Sequence, residues 1–382
     1  MPIRLLKREP PSGAARLVLR TGIRLAAILA SFVFGALFLA ITGHDALGVY
    51  RAMWTGTLGS PFGQVETIVA ATPLIFTGLA VAIAFRMRLW NIGAEGQFYF
   101  GAIGASAMAY SFPDAPPLLL LPGMAVGGMV LGAFWASIPA ALRAFLDTNE
   151  IVPTLLLNYV AILGAGWLVN DPWRDPASRG FPLGEPFSAS ATLPQEIFGT
   201  AVHGGALLAP VAALVVYALL TRTTWGYKVK VIGENPRAAR YAGFPIARNI
   251  ILVMLLSGAL AGVGGMTQVS GEVLRMQDDI SVNFGYTGII IATLASFSPP
   301  VVVLAAVLFG ALTVAGFELQ TAGLPQDIVL MLQGMILFFA LAGELFINYR
   351  IAWRSRPPPG TERGEPADRE LSPTASQSGS GT

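Results

Sequence analysis

Carboxylates in or beside the long apolar stretches of this 382-residue chain include Glu66, Glu95, Glu318 and Asp327. A carboxylate at membrane depth is costly, so each is a candidate for proton transfer, cation binding or contact with a passing solute. Glu95 is the best placed, between two amides, Asn91 and Gln97, in NIGAEGQ (residues 91–97). A second polar group lies in TNEIVPTLLLNY (residues 148–159), where Thr154 and Asn158 are four apart and share one helix face. Other chemistry is sparse. The chain has no cysteine, which excludes thiol catalysis, disulfides and cysteine-held metal. Its two histidines, His44 and His203, lie outside the apolar stretches. Its three lysines, Lys7, Lys228 and Lys230, are not part of a G-x-x-x-x-G-K-[ST] phosphate loop. No acid, base and nucleophile gather at one depth, so no catalytic or metal-binding residue is assigned, and no nucleic-acid partner is expected.

The elements that position these groups are membrane helices. Hydrophobic residues make up 54% of the chain and charged residues only 12%, about half the usual share for a soluble domain. Mean hydropathy is +0.63. Hydropathy and helix breakers give ten spans, at about 22–42, 64–85, 91–111, 117–141, 151–169, 205–221, 249–269, 285–297, 299–316 and 326–348. Continuous rather than alternating apolar runs exclude a β-barrel. The fold class is therefore an all-α polytopic membrane protein. The eighth span is short and ends at Pro299-Pro300, which also fits a bent or re-entrant element. The first apolar stretch is too long for a signal-peptide core and lacks a cleavage site, so it reads as an uncleaved span.

Charge orients these spans. With both termini inside, 20 of the 24 Lys and Arg fall on the inner side, and only Arg51, Arg174, Arg179 and Arg275 on the outer. Positive charge marks the cytoplasmic side, so the topology is N-in, C-in. Residues 1–21 form a basic cytoplasmic segment and 22–349 the transmembrane domain. Residues 350–382, rich in Pro, Gly and Ser, form a disordered cytoplasmic tail. The largest external segment, 170–204, reads as an ordered lid or interfacial helix.

The inner loop 222–248 carries six cations and contains WGYKVKVIGENPRAARYAGF (residues 225–244). Topology explains the charge but not the start and stop signals: Pro236 can open a helical turn, and Gly243, Phe244 and Pro245 can end it. A compact turn with such signals reads as a docking element for a cytoplasmic partner. For the polar groups two readings stand. Asn91 can cap the third span, and Glu95 either pairs with Arg86 or Arg88 at the inner interface or lines a solute pathway. Thr154 and Asn158 either line that pathway or hydrogen-bond a neighbouring helix.

Together, NIGAEGQ, TNEIVPTLLLNY, the 225–244 stretch, SGALAGVGG (257–265) and FGYTGIIIATLASFSP (284–299) resemble the permease subunits of bacterial ABC importers in the ribose/nucleoside/branched-chain amino acid superfamily, of the nucleoside or simple-sugar type. The resemblance spans about residues 20–350. It implies that the central loop is a coupling helix seated on an ATPase, formed here by Glu234, Asn235, Pro236, Arg237, Ala238, Ala239, Arg240 and Gly243. Arg237 stands where the family pattern has Glu. Pro153 replaces a small polar residue, and Ala295, Ser296 and Phe297 replace a stretch that often holds Gly and a cation.

The resemblance further implies a separate ATPase holding ATP and Mg, a second permease (a related chain or a copy of this one) and an extracytoplasmic substrate-binding lipoprotein. No cofactor is expected in this chain itself. It implies a bacterial inner-membrane location amid lipid, and two pseudo-repeated halves, with Asn91-x-Gly93 and Asn283-x-Gly285 as counterparts. On this reading the solute, a nucleoside or sugar-like molecule, passes some of Asn91, Glu95, Gln97, Thr154, Asn158 and Asn283. The alternative is an ion-coupled secondary transporter of a small polar solute using Glu95.

Overall fold

A computed structural model describes residues 3–7, 14–197 and 199–353, and the structural statements below refer to these. Apolar segments bounded by Pro, Gly and capping residues become helices. α1 (Ala14–Ile41) begins earlier than its apolar stretch, because Ala14, Ala15 and Leu17 are strong helix formers. A short helix, α2 (Ala46–Gly56), follows; the sequence reading did not anticipate it, although Asp45 caps it by accepting from Leu47 N. α3 (Pro61–Arg86) starts three residues before its expected span, with Ser60 as N-cap and Pro61 in the first turn. α4 (Ala94–Ser111), α5 (Pro117–Leu146) and α6 (Ile151–Asn170) complete the first half.

The second half opens with α7 (Gly205–Arg222), then two short helices, α8 (Thr224–Glu234) and α9 (Pro236–Tyr241). α10 (Ile246–Thr267) runs into a π-helical turn at Gln268–Val273. α11 (Phe284–Leu294), α12 (Pro299–Thr321) and α13 (Gln326–Asn348) follow. Ten of these helices match the ten expected spans. Six, namely α3, α5, α6, α7, α10 with its π turn, and α12, are long and apolar enough to cross a membrane. The chain ends are not purely helical: β1 (Ile3–Lys7) pairs antiparallel with β2 (Tyr349–Trp353), Ile3 opposite Trp353 and Lys7 opposite Tyr349. That ribbon takes in part of the expected N-terminal segment and the start of the expected tail; the rest of the tail lies outside the described residues.

α3, α4 and α10 form the buried centre, while α5, α6 and α7 expose apolar faces through residues such as Leu118, Leu163 and Leu214. Lipid tails are as apolar as leucine, so helices in a bilayer associate through close backbone approach rather than hydrophobic exclusion. Small residues supply that approach. Gly258 and Gly262 of α10 lie directly against Gly128 and Gly132 of α5, and Gly101 of α4 against Gly262.

The two halves repeat in their neighbours. α5 lies along α10 as α12 lies along α3, and α4 lies along α10 as α11 lies along α3. Exchanging α3–α4–α5 for α10–α11–α12 therefore preserves the arrangement. One member departs from it. α11 has 11 residues, about 16 Å of helix against a hydrocarbon core of about 30 Å, so it is a half-span. The eighth segment is thus the bent element that its length allowed. It ends in a turn with Ser296 and Phe297 both in the left-handed region (φ 49° and 58°), and α12 starts on Pro299.

Candidate functional site at a helix junction

The polar candidates cluster where α4 and α11 begin. After α3, Arg88 adopts a left-handed backbone (φ 56°) and turns the chain back into the bundle. Glu150, at the start of α6, holds that turn: its Oε1 accepts from Trp90 N at 2.9 Å, and its Oε2 lies 3.4 Å from Arg143 Nε. Asn91 is fully buried. Its Oδ1 accepts from Gly93 N and from Gln97 Nε2, and its Nδ2 donates to Gln97 Oε1 and Ser257 Oγ, all at 2.9–3.1 Å. The Ser257 hydroxyl donates in turn to Ala80 O at 2.7 Å. Asn91 therefore ties the turn to α3 and α10. It is not the cap of α4, because the N-cap position falls on Gly93. The orphan N–H of Gly96 is instead met by Asn158 Oδ1 of α6 at 2.8 Å. Asn158 Nδ2 donates to Ile92 O and to Tyr286 OH of α11. Thr154 bonds back to Glu150 O and packs beside Gly93.

Glu95, only 2% exposed, accepts from Gly285 N of α11 at 2.6 Å. Its carboxylate sits in the first turn of α4 and at the first turn of α11, where two helix N-termini present unpaired N–H groups and positive dipole ends. It makes no ion pair with Arg86 or Arg88 among the described residues. Thr77 of α3 donates to Phe284 O at 3.0 Å and fixes α11 from a third side. Gly285 lies so close to the Glu95 backbone that a Cβ there has no room.

The structure thus buries Asn91, Glu95, Gln97, Thr154 and Asn158 around the start of α4, where only Asn91 and Gln97 bond each other and the rest bond backbone or Tyr286. Asn283 is apart from them. It is exposed, takes a left-handed backbone (φ 62°) as N-cap of α11, and borders a cavity of about 420 Å³ between α3, α11, α12 and α13. Sequence reasoning missed Ser257, Tyr286, Thr77 and Glu150 as partners. A lone serine in the small-residue run SGALAGVGG was the one available signal; the others partner residues remote in sequence.

At the other candidate site, α9 has the start and stop that the sequence suggested. Asn235 caps it, accepting from Ala238 N at 3.0 Å, Pro236 opens it, and Gly243 (φ 75°) ends it. Ala239 is buried, whereas Glu234, Asn235, Pro236, Arg237, Ala238, Arg240 and Gly243 are exposed, as is Tyr241 at 95%. α8, capped by Thr223, was not foreseen: its valines and glycine read as poor helix formers. Gly233 in its last turn lies against the backbone of Arg86 and Met87, and only glycine fits there.

Among the described residues of the segment 170–204, two three-residue 3-10 turns (Pro176–Ser178 and Ala189–Ala191) stand where an interfacial helix was one expectation. The segment runs beside the end of α10: Gly184 N donates to Met276 O, Phe187 N to Leu274 O and Leu193 N to Ser270 O, at 2.8–3.0 Å. Asp175 lies 3.9 Å from Arg275. His203 closes the segment, buried against Gly271 with Nδ1 accepting from Gly205 N at 3.1 Å. Loss of hydration lowers its pKa to about 4. An unfolded imidazole takes a proton below about pH 6.5, so the neutral buried form stabilises the segment above that pH. That stability is lost as pH falls from about 6.5 towards 4. Amide exchange protection at Gly205 and Ala206 is expected to drop over that window in hydrogen-exchange mass spectrometry; constant protection would show that His203 opens freely.

The family described as "Branched-chain amino acid transport system / permease component" matches residues 64–341. Similar proteins include the glucose ABC transporter permease protein TsgB13 of Haloferax volcanii, 36% identical over 86% of this chain and 89% of that protein. The nucleoside ABC transporter permease protein NupB of Lactococcus lactis is 32% identical over 83% of this chain and 89% of its own length. For the guanosine ABC transporter permease protein NupP of Bacillus subtilis the figures are 30%, 83% and 92%. Permease components move solutes without making or breaking covalent bonds, which agrees with a polar group built for helix contact and with a chain that is not an enzyme. A multi-pass helical fold, a match over most of its length and relatives of similar size all place the chain in this permease-component family.

Proposed function

We propose that the chain is the membrane-spanning subunit of an ATP-driven, binding-protein-dependent importer, carrying a nucleoside or related sugar-like solute into the cytoplasm of a bacterium. The observation that carries this reading is α9: a capped helix anchored by one buried alanine, with nearly every other side chain exposed, Tyr241 included. A free helix of six residues with an exposed aromatic suits a groove on a partner, here a separate ATPase that holds ATP and Mg. The contact of Gly233 with the α3–α4 turn supports a mechanical route inward: ATPase closure moves α8 and α9, the turn follows, and the Asn91–Glu95–Gly285 junction passes the shift to α11.

The junction also bears on cargo. Paired helix N-termini at depth attract anions, and here the chain's own Glu95 occupies them. That supports an uncharged solute, as do the names of the relatives. On this reading Asn283 faces the solute, while Asn91, Glu95, Gln97, Thr154 and Asn158 hold the helices that move. A second permease and an extracytoplasmic lipoprotein, docking on the ordered 170–204 segment, complete the assembly in the bacterial inner membrane.

The test is co-purification with the candidate ATPase before and after deletion of residues 234–243. The deletion is expected to abolish ATPase capture while the helical content of the chain is kept. Unchanged capture would remove α9 as the coupling element.

A further inference from the structure

The cavity bordered by Asn283 has a mixed lining of apolar and neutral polar side chains. Six neutral polar side chains converge on it: Asn283 and Thr287 from α11, Thr313 and Gln320 from α12, Gln326 and Gln333 from α13. Leu74 and Phe309 form an apolar floor. Thr313 and Gln333 are satisfied by Phe309 O and Leu312 O. The side chains of Asn283, Thr287, Gln320 and Gln326 have no hydrogen-bond partner among the described residues. No Asp, Glu, Lys or Arg is in the lining. Asn283, Gln320 and Gln326 are exposed at helix ends, so their amide groups are free to meet whatever enters the cavity. A mostly apolar wall with a few convergent polar groups, in a volume of about 300–1,000 Å³, is the usual form of a small-molecule site.

We propose that this cavity is a binding site for an uncharged, hydroxyl-bearing solute of nucleoside or hexose size. Gln320 and Gln326 stand on either side of the α12–α13 turn, and Asn283 at the start of the α11 half-span. Amides both donate and accept, so they can meet ring hydroxyls and base edges without regard to charge. The absence of a cation in the lining disfavours a phosphorylated form. The site deepens the transport reading and rests on it for its role, but its occupancy can be measured without transport.

Gly334 borders the cavity, and a Cβ built there meets no atom within 4 Å. Gly334→Leu therefore adds bulk at the cavity wall with no clash at its Cβ, and it adds a better helix former. Saturation-transfer NMR on the purified full chain in phosphatidylcholine nanodiscs would use adenosine, glucose and AMP as probes. Adenosine or glucose is expected to receive magnetisation, AMP much less. Gly334→Leu should remove the signal, and Asn283→Ala should weaken binding about three- to tenfold, the scale of one lost neutral hydrogen bond. Melting temperatures of both variants report on folding. No transfer to either neutral probe in the wild type, or equal transfer in folded Gly334→Leu, would overturn the proposal and leave the cavity to lipid. Failure of the transport reading shows separately, as ATPase capture that survives deletion of residues 234–243.

Discussion

Gly262→Val is expected to abolish the folded bundle. A side chain at Gly262 would run into the carbonyl of Gly128 on α5, with Gly132 Cα 3.3 Å away. The obstacles are backbone atoms of a neighbouring helix, which cannot rotate aside as a side chain tip would. Relief requires separating α10 from α5, and that undoes the Gly258–Gly132 contact one turn away and the Gly101 contact with α4. Overpacking of a core costs about 1–3 kcal/mol and more where backbone must move. A loss of about 3 kcal/mol is roughly a hundredfold in the folded-to-unfolded ratio. Size-exclusion chromatography in mild detergent should show aggregate in place of the monodisperse peak. Gly164→Ala on α6, where a Cβ meets nothing within 4 Å, should leave that peak intact. A monodisperse Gly262→Val with an unchanged melting temperature would contradict the close α5–α10 crossing.

Gly233→Val is expected to separate ATPase binding from transport. The substitution leaves the exposed face of α9 as it is, so capture of the ATPase should persist. Its side chain, however, meets the carbonyl of Arg86, with Met87 Cα 3.0 Å away, and pushes the last turn of α8 off the α3–α4 turn. That turn is tied through Asn91 and Gln97 to the start of α4, and through Glu95 to α11. Substitutions along such a contiguous path shift coupling by about 0.5–2 kcal/mol, so uptake in proteoliposomes should fall by roughly tenfold at unchanged ATPase binding. Uptake at the wild-type rate would mean that α8 carries no part of the motion.

Much of this architecture is legible in the sequence because bilayer physics leaves few options. Ten apolar segments could only be helices, and Pro236 and Pro299 mark starts that the structure repeats. The short eighth segment reads as a span with a bent or re-entrant element as the alternative, and α11 has only 11 residues. The six polar candidates were legible as residues, but Asn283 lies apart from Asn91, Glu95, Gln97, Thr154 and Asn158. Their bonding was not legible, because the partners come from Ser257, Gly285 and Tyr286, more than a hundred residues away in the chain. α2 and α8 were missed because neither has the length or the apolar period of a span; burial against α12 and α7 stabilises them instead. The β1–β2 ribbon has no local signal at all, since its two strands are separated by nearly the whole chain.

The contact between Glu95 and Gly285 joins residues 190 positions apart. At roughly 5–20 residues per second, a ribosome takes about 10–40 s to make the intervening chain. Throughout that interval the carboxylate on α4 lacks its Gly285 partner. Asn91 likewise lacks its Ser257 partner until that residue arrives. Chains truncated before α11 should therefore be held at the translocon or degraded, and the order of synthesis sets when this protein is most exposed to quality control.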